Sequence, residues 1–256
     1  MKEIKIEEKE VSKYTRRSWL AFVNLFVLSG AGIAGWRGLS TQPLDGGILG
    51  GIPTPLRKGL ETNEKLFRST FNNLKLIKEY PKSEAAKKVR VNGAVGLEEA
   101  SFEPTQWTLD LQKADNKSQS ITLVELKKLP KTEIIYNFKC IEGWSQISWW
   151  GGVRFVDFCN HFGLNKEAQM QYVGMCTPDQ EYYVGIDRES ALHPQTILAY
   201  EMNGKPLIAE HDAPLRLIIP IKYGVKSLKR IGSIYFDNEK PSDYWAERGY
   251  DYYIGH

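Results

Sequence analysis

Cys140 sits in the run Phe138-Lys139-Cys140-Ile141-Glu142-Gly143-Trp144-Ser145, with Trp149-Trp150-Gly151-Gly152 close behind it. A thiol ends an apolar, strand-like stretch, an acid follows two residues later, and aromatic rings flank both. A thiolate held beside one carboxylate in an aromatic-walled pocket suits a soft or highly oxidised metal centre. A structural cysteine packed as a small hydrophobe explains the same thiol in isolation, so the remainder of the chain has to decide. The other cysteines, Cys159 and Cys176, follow at spacings of 19 and 17 residues. Those spacings match no zinc knuckle, and an odd count leaves at least one thiol unpaired within the chain.

Two later segments carry anion chemistry. His211-Asp212-Ala213-Pro214-Leu215-Arg216 ends on an arginine at the start of a strand. Its rigid guanidinium fork suits a phosphate, and the histidine upstream can donate to a phosphate or ring oxygen. Lys222-Tyr223-Gly224-Val225-Lys226-Ser227-Leu228-Lys229-Arg230 is a compact basic loop with one glycine. Its lysines, hydroxyl and backbone N–H groups can cradle an anion, although a solvated charged loop is the plain alternative. His193, in a turn before Pro194, reads as structural. A zinc hydrolase built on His193, His211 and Asp212 is disfavoured: no HExxH occurs, and His161, His193, His211 and His256 lack paired spacing.

The elements that must hold these groups are legible from residue 107 onward. Thr122-Leu123-Val124-Glu125 is a capping box opening a short helix that Pro130 stops. Residues 133–140 read as a strand. Residues 153–162 place Phe155, Phe158, Cys159 and Phe162 on one helical face closed by Gly163, which assigns Cys159 to the core. Residues 171–176 and 182–186 read as strands. Asn203-Gly204 marks a tight hairpin turn between strands at 197–202 and 205–208, and 215–220 and 231–236 supply two more. Strands and short helices without regular βαβ alternation predict an α+β domain. Residues 60–103 carry too weak a pattern to assign.

Residues 19–36 form an uncharged run bounded by Trp19 and Trp36, with Asn24 its one strongly polar member. As a helix it spans about 27 Å, enough for a bilayer core. Lys9, Lys13, Arg16 and Arg17 precede it, so the positive-inside rule leaves residues 1–18 in the cytoplasm. Thr15-Arg16-Arg17-Ser18-Trp19-Leu20 also looks like a twin-arginine export signal, and small residues at 29–34 can serve for cleavage. Gly30-Ala31-Gly32-Ile33-Ala34-Gly35 reads GxGxxG, but it lacks the preceding strand and following acid that a dinucleotide site needs. The expected organisation is a cytoplasmic N-terminus (1–18), a transmembrane anchor or export signal (19–36), a Gly/Pro-rich linker (37–60) and an exported domain (61–256).

Bulk composition narrows the classes. Apolar residues make up 42% and charged residues 25% of 256, the make-up of an ordinary globular chain. Thirty-four basic against 31 acidic residues give a net charge of +3, too balanced to indicate nucleic acid. Seven Trp and 13 Tyr favour a β-rich or pocket-forming domain.

Residues 139–150, 192–196, 211–216 and 220–229 together, and in this order, resemble the molybdopterin-binding domain of the sulfite oxidase family. Cys-Ile-Glu-Gly-Trp-Ser is most similar to the family's bacterial branch of protein-methionine-sulfoxide reductases. The resemblance implies the sulfite oxidase-like α+β fold, with mixed sheets and short helices, and a molybdenum-molybdopterin cofactor. It implies that Cys140 is the one protein ligand to molybdenum, the pterin dithiolene supplying the other sulfurs. It also implies that Asn72, Thr177, His211, Arg216, Ser227, Leu228 and Lys229 hold the pterin and its phosphate. Glu142 would line the pocket and move protons during two-electron oxygen-atom transfer. The sulfite-oxidising branch carries arginines just after its metal cysteine; residues 141–145 here carry no positive charge, which counts against sulfite. The reductase branch usually has Asn where His211 stands and an aromatic-acid pair where Lys75-Leu76 stands, which counts against methionine sulfoxide too. No His-Pro-Gly-Gly signature of a cytochrome b5 domain occurs, so electrons are expected to pass through a separate membrane haem protein. The expected setting is the bacterial inner membrane, with the catalytic domain in the periplasm, or a soluble periplasmic enzyme if the N-terminus is cleaved. The competing expectation is a non-enzymatic exported domain on the same scaffold that binds a ligand or partner.

Overall fold

Leu109 and Leu111 are buried between Thr108, Asp110 and Gln112, and that period of two makes the strand one-sided. Other strands, such as Tyr172–Cys176 and Ile197–Met202, are instead buried along most of their length in the computed structural model. It describes residues 8–46, 51–91, 93, 103, 106–114, 117–211 and 213–255. They fall into two units, residues 1–45 with 52–59 and residues 46–51 with 60–256.

The first unit contains α1 (Glu8–Ser40), of which Arg16–Ser40 is exposed throughout and, with an 18-residue stretch of mean hydropathy 1.6, is long and apolar enough to cross a membrane. The helix is longer than the uncharged run, and Gly30, Gly32 and Gly35 lie inside it with no strand before them among the described residues. Next comes α2 (Thr54–Ser69), which starts within the stretch expected as linker, with Pro55 in its first turn, where a missing N–H costs nothing.

The second unit runs through β1 (Thr108–Gln112), β2 (Ser118–Thr122), α3 (Leu123–Leu126), β3 (Thr132–Lys139), β4 (Ser145–Arg154) and α4 (Phe155–His161). It continues with β5 (Tyr172–Cys176), β6 (Tyr183–Asp187), α5 (Arg188–Ala191), β7 (Ile197–Met202), β8 (Lys205–Pro206), β9 (Arg216–Ile218) and β10 (Ser233–Asp237). Among the described residues two five-stranded sheets result, one ordered β2-β1-β10-β5-β6, the other β3-β4-β7-β8 with β9 also on β7. This is the expected α+β class. The main core gathers Leu109, Ile121, Phe155, Phe158, Met175 and Ile234, and a second cluster joins Ile134, Tyr136, Trp150 and Ile218.

Local signals are realised where their partners are close in sequence. Thr122 Oγ1 accepts the Glu125 N–H at 3.2 Å and Glu125 Oε2 accepts the Thr122 N–H at 2.8 Å, closing the capping box. Asn203 and Gly204 take φ of 53° and 71° in the β7–β8 turn. The helix expected from residue 153 begins only at Phe155, because Val153 and Arg154 are held in β4 by Leu198 and Ile197 of β7. The unassigned residues 77–90 form a strap along the β3–β4 hairpin. Its bonds are isolated ones: Tyr80 N to Ile135 O at 2.9 Å, Ala86 N to Ile147 O at 3.0 Å and Arg90 N to Gln146 Oε1 at 2.9 Å. Such contacts impose no periodicity that a sequence could display.

Candidate functional site

The β3–β4 hairpin turns through residues 140–144. Cys140 N donates to Trp144 O at 2.9 Å and Gly143 N to Cys140 O at 3.1 Å. Gly143 holds φ at 87°, a conformation that favours glycine. The turn leaves Cys140 only 6% exposed on the lining of an open cavity with an empty volume of about 1100 Å³. Trp144 forms part of its rim: its Nε1 donates to Glu142 Oε2 at 3.0 Å, its ring stacks on Phe138 with centroids 6.0 Å apart, and the Arg90 guanidinium lies 4.8 Å from it.

The cavity collects groups that are remote in sequence. Cys140 and Glu142 meet His211, Arg216, Ser227 and Lys229 on its lining. Arg216 is 5% exposed, starts β9 and lies 4.6 Å from the Trp150 ring. Lys229 Nζ donates to Gly93 O at 3.0 Å. Tyr182 donates its hydroxyl to Val225 O at 2.7 Å and accepts Trp245 Nε1 at 3.0 Å. Burial, with the Asp243 carboxylate adding to it, pushes the Tyr182 phenol well up, so it stays a neutral donor. Arg90, Tyr182 and Trp245 were not singled out from the sequence. Arg90 lies on the patternless strap, and the two aromatics are indistinguishable in sequence from core residues.

Three expected cofactor residues are placed otherwise. Thr177 accepts the Tyr182 N–H at 3.1 Å, donates to Asp179 Oδ1 at 2.5 Å and faces a separate cleft with Cys176 and Trp107. Asn72 is exposed, and its Oδ1 accepts the Leu74 N–H at 2.9 Å within a turn. Leu228 is fully buried in the main core, so within the Ser227-Leu228-Lys229 segment only the outer side chains face the cavity. The basic loop also departs from the expectation that its lysines cradle an anion together. Lys222 and Lys226 are buried and paired with Asp187 and Asp243. Burial, with Glu167 adding to it, pushes the Cys159 thiol up to about 12, as befits a core residue. His193 is buried too; its Nδ1 accepts the Gln195 N–H at 3.2 Å, and burial lowers its pKa. Asp212 and His256 lie outside the described residues. Among the described residues, no group of three or more His, Cys, Asp or Glu side chains is arranged to hold a metal ion.

A buried thiol that shares a cavity with an arginine, a lysine and a histidine fits a metal carried on an anionic organic cofactor better than a metal held by protein alone. Comparison with known proteins agrees. The model of the oxidoreductase molybdopterin binding domain matches residues 95–245. A chain from Azospira oryzae, provisionally named protein-methionine-sulfoxide reductase subunit YedZ1, is 33% identical over 69% of this chain and 66% of its own. The protein-methionine-sulfoxide reductase catalytic subunit MsrP of Xanthomonas axonopodis pv. citri is 31% identical over 76% of this chain and 62% of its own. The match thus spans less than two thirds of either relative. Among solved structures, the sulfane dehydrogenase SoxCD from Paracoccus pantotrophus has a TM-score of 0.49 at 17% identity, over 55% of this chain and 40% of that one.

Proposed function

Since this chain belongs to the oxidoreductase molybdopterin-binding domain family, we propose that it is an exported, membrane-tethered molybdenum enzyme that reduces a sulfoxide. The observation that carries the proposal is the convergence of the buried Cys140 thiol with Arg216 and Lys229 on one cavity. The reaction takes a sulfoxide, two electrons and two protons to a thioether and water.

Bound molybdopterin supplies a metal centre that exchanges two electrons while an oxygen atom is transferred. Cys140 is its protein ligand, a soft donor suited to that metal. Arg216, with Lys229 and Ser227, holds the phosphate end, and His211 donates to the pterin or phosphate oxygens. Glu142 delivers a proton to the departing oxygen; one of its oxygens also accepts from Trp144. Phe138 and Trp144 keep water from one side and offer ring edges to the substrate sulfur, a favourable sulfur–aromatic contact. The absence of a cation in residues 141–145 supports a neutral sulfoxide over an anionic sulfite. The names of the relatives point the same way. Arg16-Arg17 just before the uncharged run at 19–36 supports export in a folded, cofactor-loaded state, and a separate membrane haem protein would deliver the electrons.

Protein made in a host that synthesises the cofactor should purify with one molybdenum and one pterin per chain. Cys140→Ser should keep much of the pterin, lose turnover and change the molybdenum(V) paramagnetic spectrum, because an alkoxide is a harder donor. Wild-type turnover with an unchanged spectrum in that variant would refute the assignment.

A further inference from the structure

Lys222 and Lys226 lie in the segment that leads from β9 in one sheet to β10 in the other. Both reach β6, the edge strand of the first sheet. Lys222 pairs with Asp187 at 2.8 Å, the two side chains being 1% and 3% exposed. Lys226 pairs with Asp243 and donates to Gly185 O at 2.9 Å. Asp243 in turn accepts the Gly185 N–H at 3.2 Å and the Ala246 N–H at 3.0 Å. Both backbone groups that Gly185 turns off the sheet edge are thus taken by the two members of one buried ion pair. An edge strand ordinarily leaves such groups open. Gly185 has no room for a side chain, since a Cβ there would stand 1.9 Å from Tyr252 Oη. That ring also lies 4.3 Å from Lys226 Nζ.

Buried ion pairs are a weak source of stability, and their best-attested use is to fix register. What these pairs hold in register is one wall of the cavity. Val225 and Ser227 flank Lys226, and Trp245 precedes the Ala246 that Asp243 caps. Val225 O, Tyr182 Oη and Trp245 Nε1 form a chain of hydrogen bonds across the same wall. Cys140 and Arg216 come from the other sheet. We propose that Lys226 and Asp243, with Lys222 and Asp187 as a second anchor, are positioning residues that hold Ser227, Lys229, Tyr182 and Trp245 in register with Cys140 and so set the cavity's grip on its cofactor. This rests on the reading of the cavity as a molybdopterin site.

The double variant Lys226→Met/Asp243→Asn removes both charges without burying either alone and nearly conserves volume. It also takes the donor from Gly185 O and one acceptor from the Gly185 and Ala246 N–H groups, so it should fold with a lowered urea midpoint. Amide exchange at residues 224–229 is expected to be slow in the wild type and about tenfold faster in the variant, with β1 and β2 unchanged. Molybdenum and pterin content should fall about tenfold, the usual scale for losing a group that orients a metal ligand set. Asp243→Glu, which keeps the charge but lengthens the arm, should also lose cofactor and alter the molybdenum(V) spectrum of what remains. A folded variant with wild-type exchange at 224–229 overturns the proposal. So does faster exchange with unchanged cofactor content, or failure of both variants to fold, since each assigns the pair to stability alone. A wild-type chain that never takes up molybdenum refutes the functional reading instead, while the exchange measurement still decides the positioning role.

Discussion

Replacing Arg216 by alanine separates cofactor binding from folding. Arg216 is 5% exposed, its guanidinium stands over Trp150, and it lines the same cavity as Cys140. A charge-assisted hydrogen bond is worth about 1.5–3 kcal/mol, so losing the bidentate grip on a phosphate should cost about 2–3 kcal/mol. That corresponds to roughly 30–150-fold weaker binding. The cation–π contact with Trp150 is lost from the cofactor-free protein as well, at about 1–2 kcal/mol. It is partly offset because a buried charge no longer has to be desolvated. Apo-protein stability should therefore change by no more than about 1–2 kcal/mol. Metal analysis and the fluorescence of oxidised pterin read occupancy, and urea unfolding of cofactor-free protein reads stability. Arg216→Lys should fall between, because a point charge replaces the fork only in part. Full molybdenum occupancy in Arg216→Ala would remove the phosphate assignment. An apo-protein destabilised by more than about 3 kcal/mol would make Arg216 a structural residue.

Burial pushes the Asp187 carboxyl up, but the Lys222 ammonium and the Ser190 donors outweigh it and leave its pKa lowered; burial brings Lys222 down to about 8 despite Asp187. The Asp187 contribution is therefore present above the ordinary carboxylate range and lost as pH falls below about 4. Asp187→Asn should cost about 3 kcal/mol at pH 7, where Lys222 is left buried without its carboxylate. The loss should shrink by pH 9, because the folded state sheds that proton before the unfolded state does; equal losses in urea melts at the two pH values would contradict this. Cys159→Ser should cost about 1–3 kcal/mol in the same assay by burying a hydroxyl, and should leave cofactor content unchanged. Replacing Arg16 and Arg17 together by lysine should trap the protein in the cytoplasm, as cell fractionation would show; unchanged export would indicate the general secretory route.

The sequence by itself determined whatever depends on neighbours along the chain. Thr122 and Glu125 cap one another across a single turn, Asn203-Gly204 closes β7 onto β8, and the helical spacing of Phe155, Phe158 and Cys159 assigns that thiol to the core. Cys140 at the end of an apolar strand beside Glu142 was legible for the same reason, as were the α+β class and the long apolar helix. Tertiary structure alone decided which way the side chains of the basic loop face. Lys222 and Lys226 look no different in sequence from Lys229, yet Asp187 and Asp243 draw them inward while Lys229 lines the cavity. It also brought Arg90 to Trp144 from a strap without periodicity, and turned Asn72 and Thr177 towards local partners of their own. Local spacing sets the period of an element, whereas the direction of a long charged side chain follows from where its opposite charge is buried, and that partner can lie anywhere in the chain.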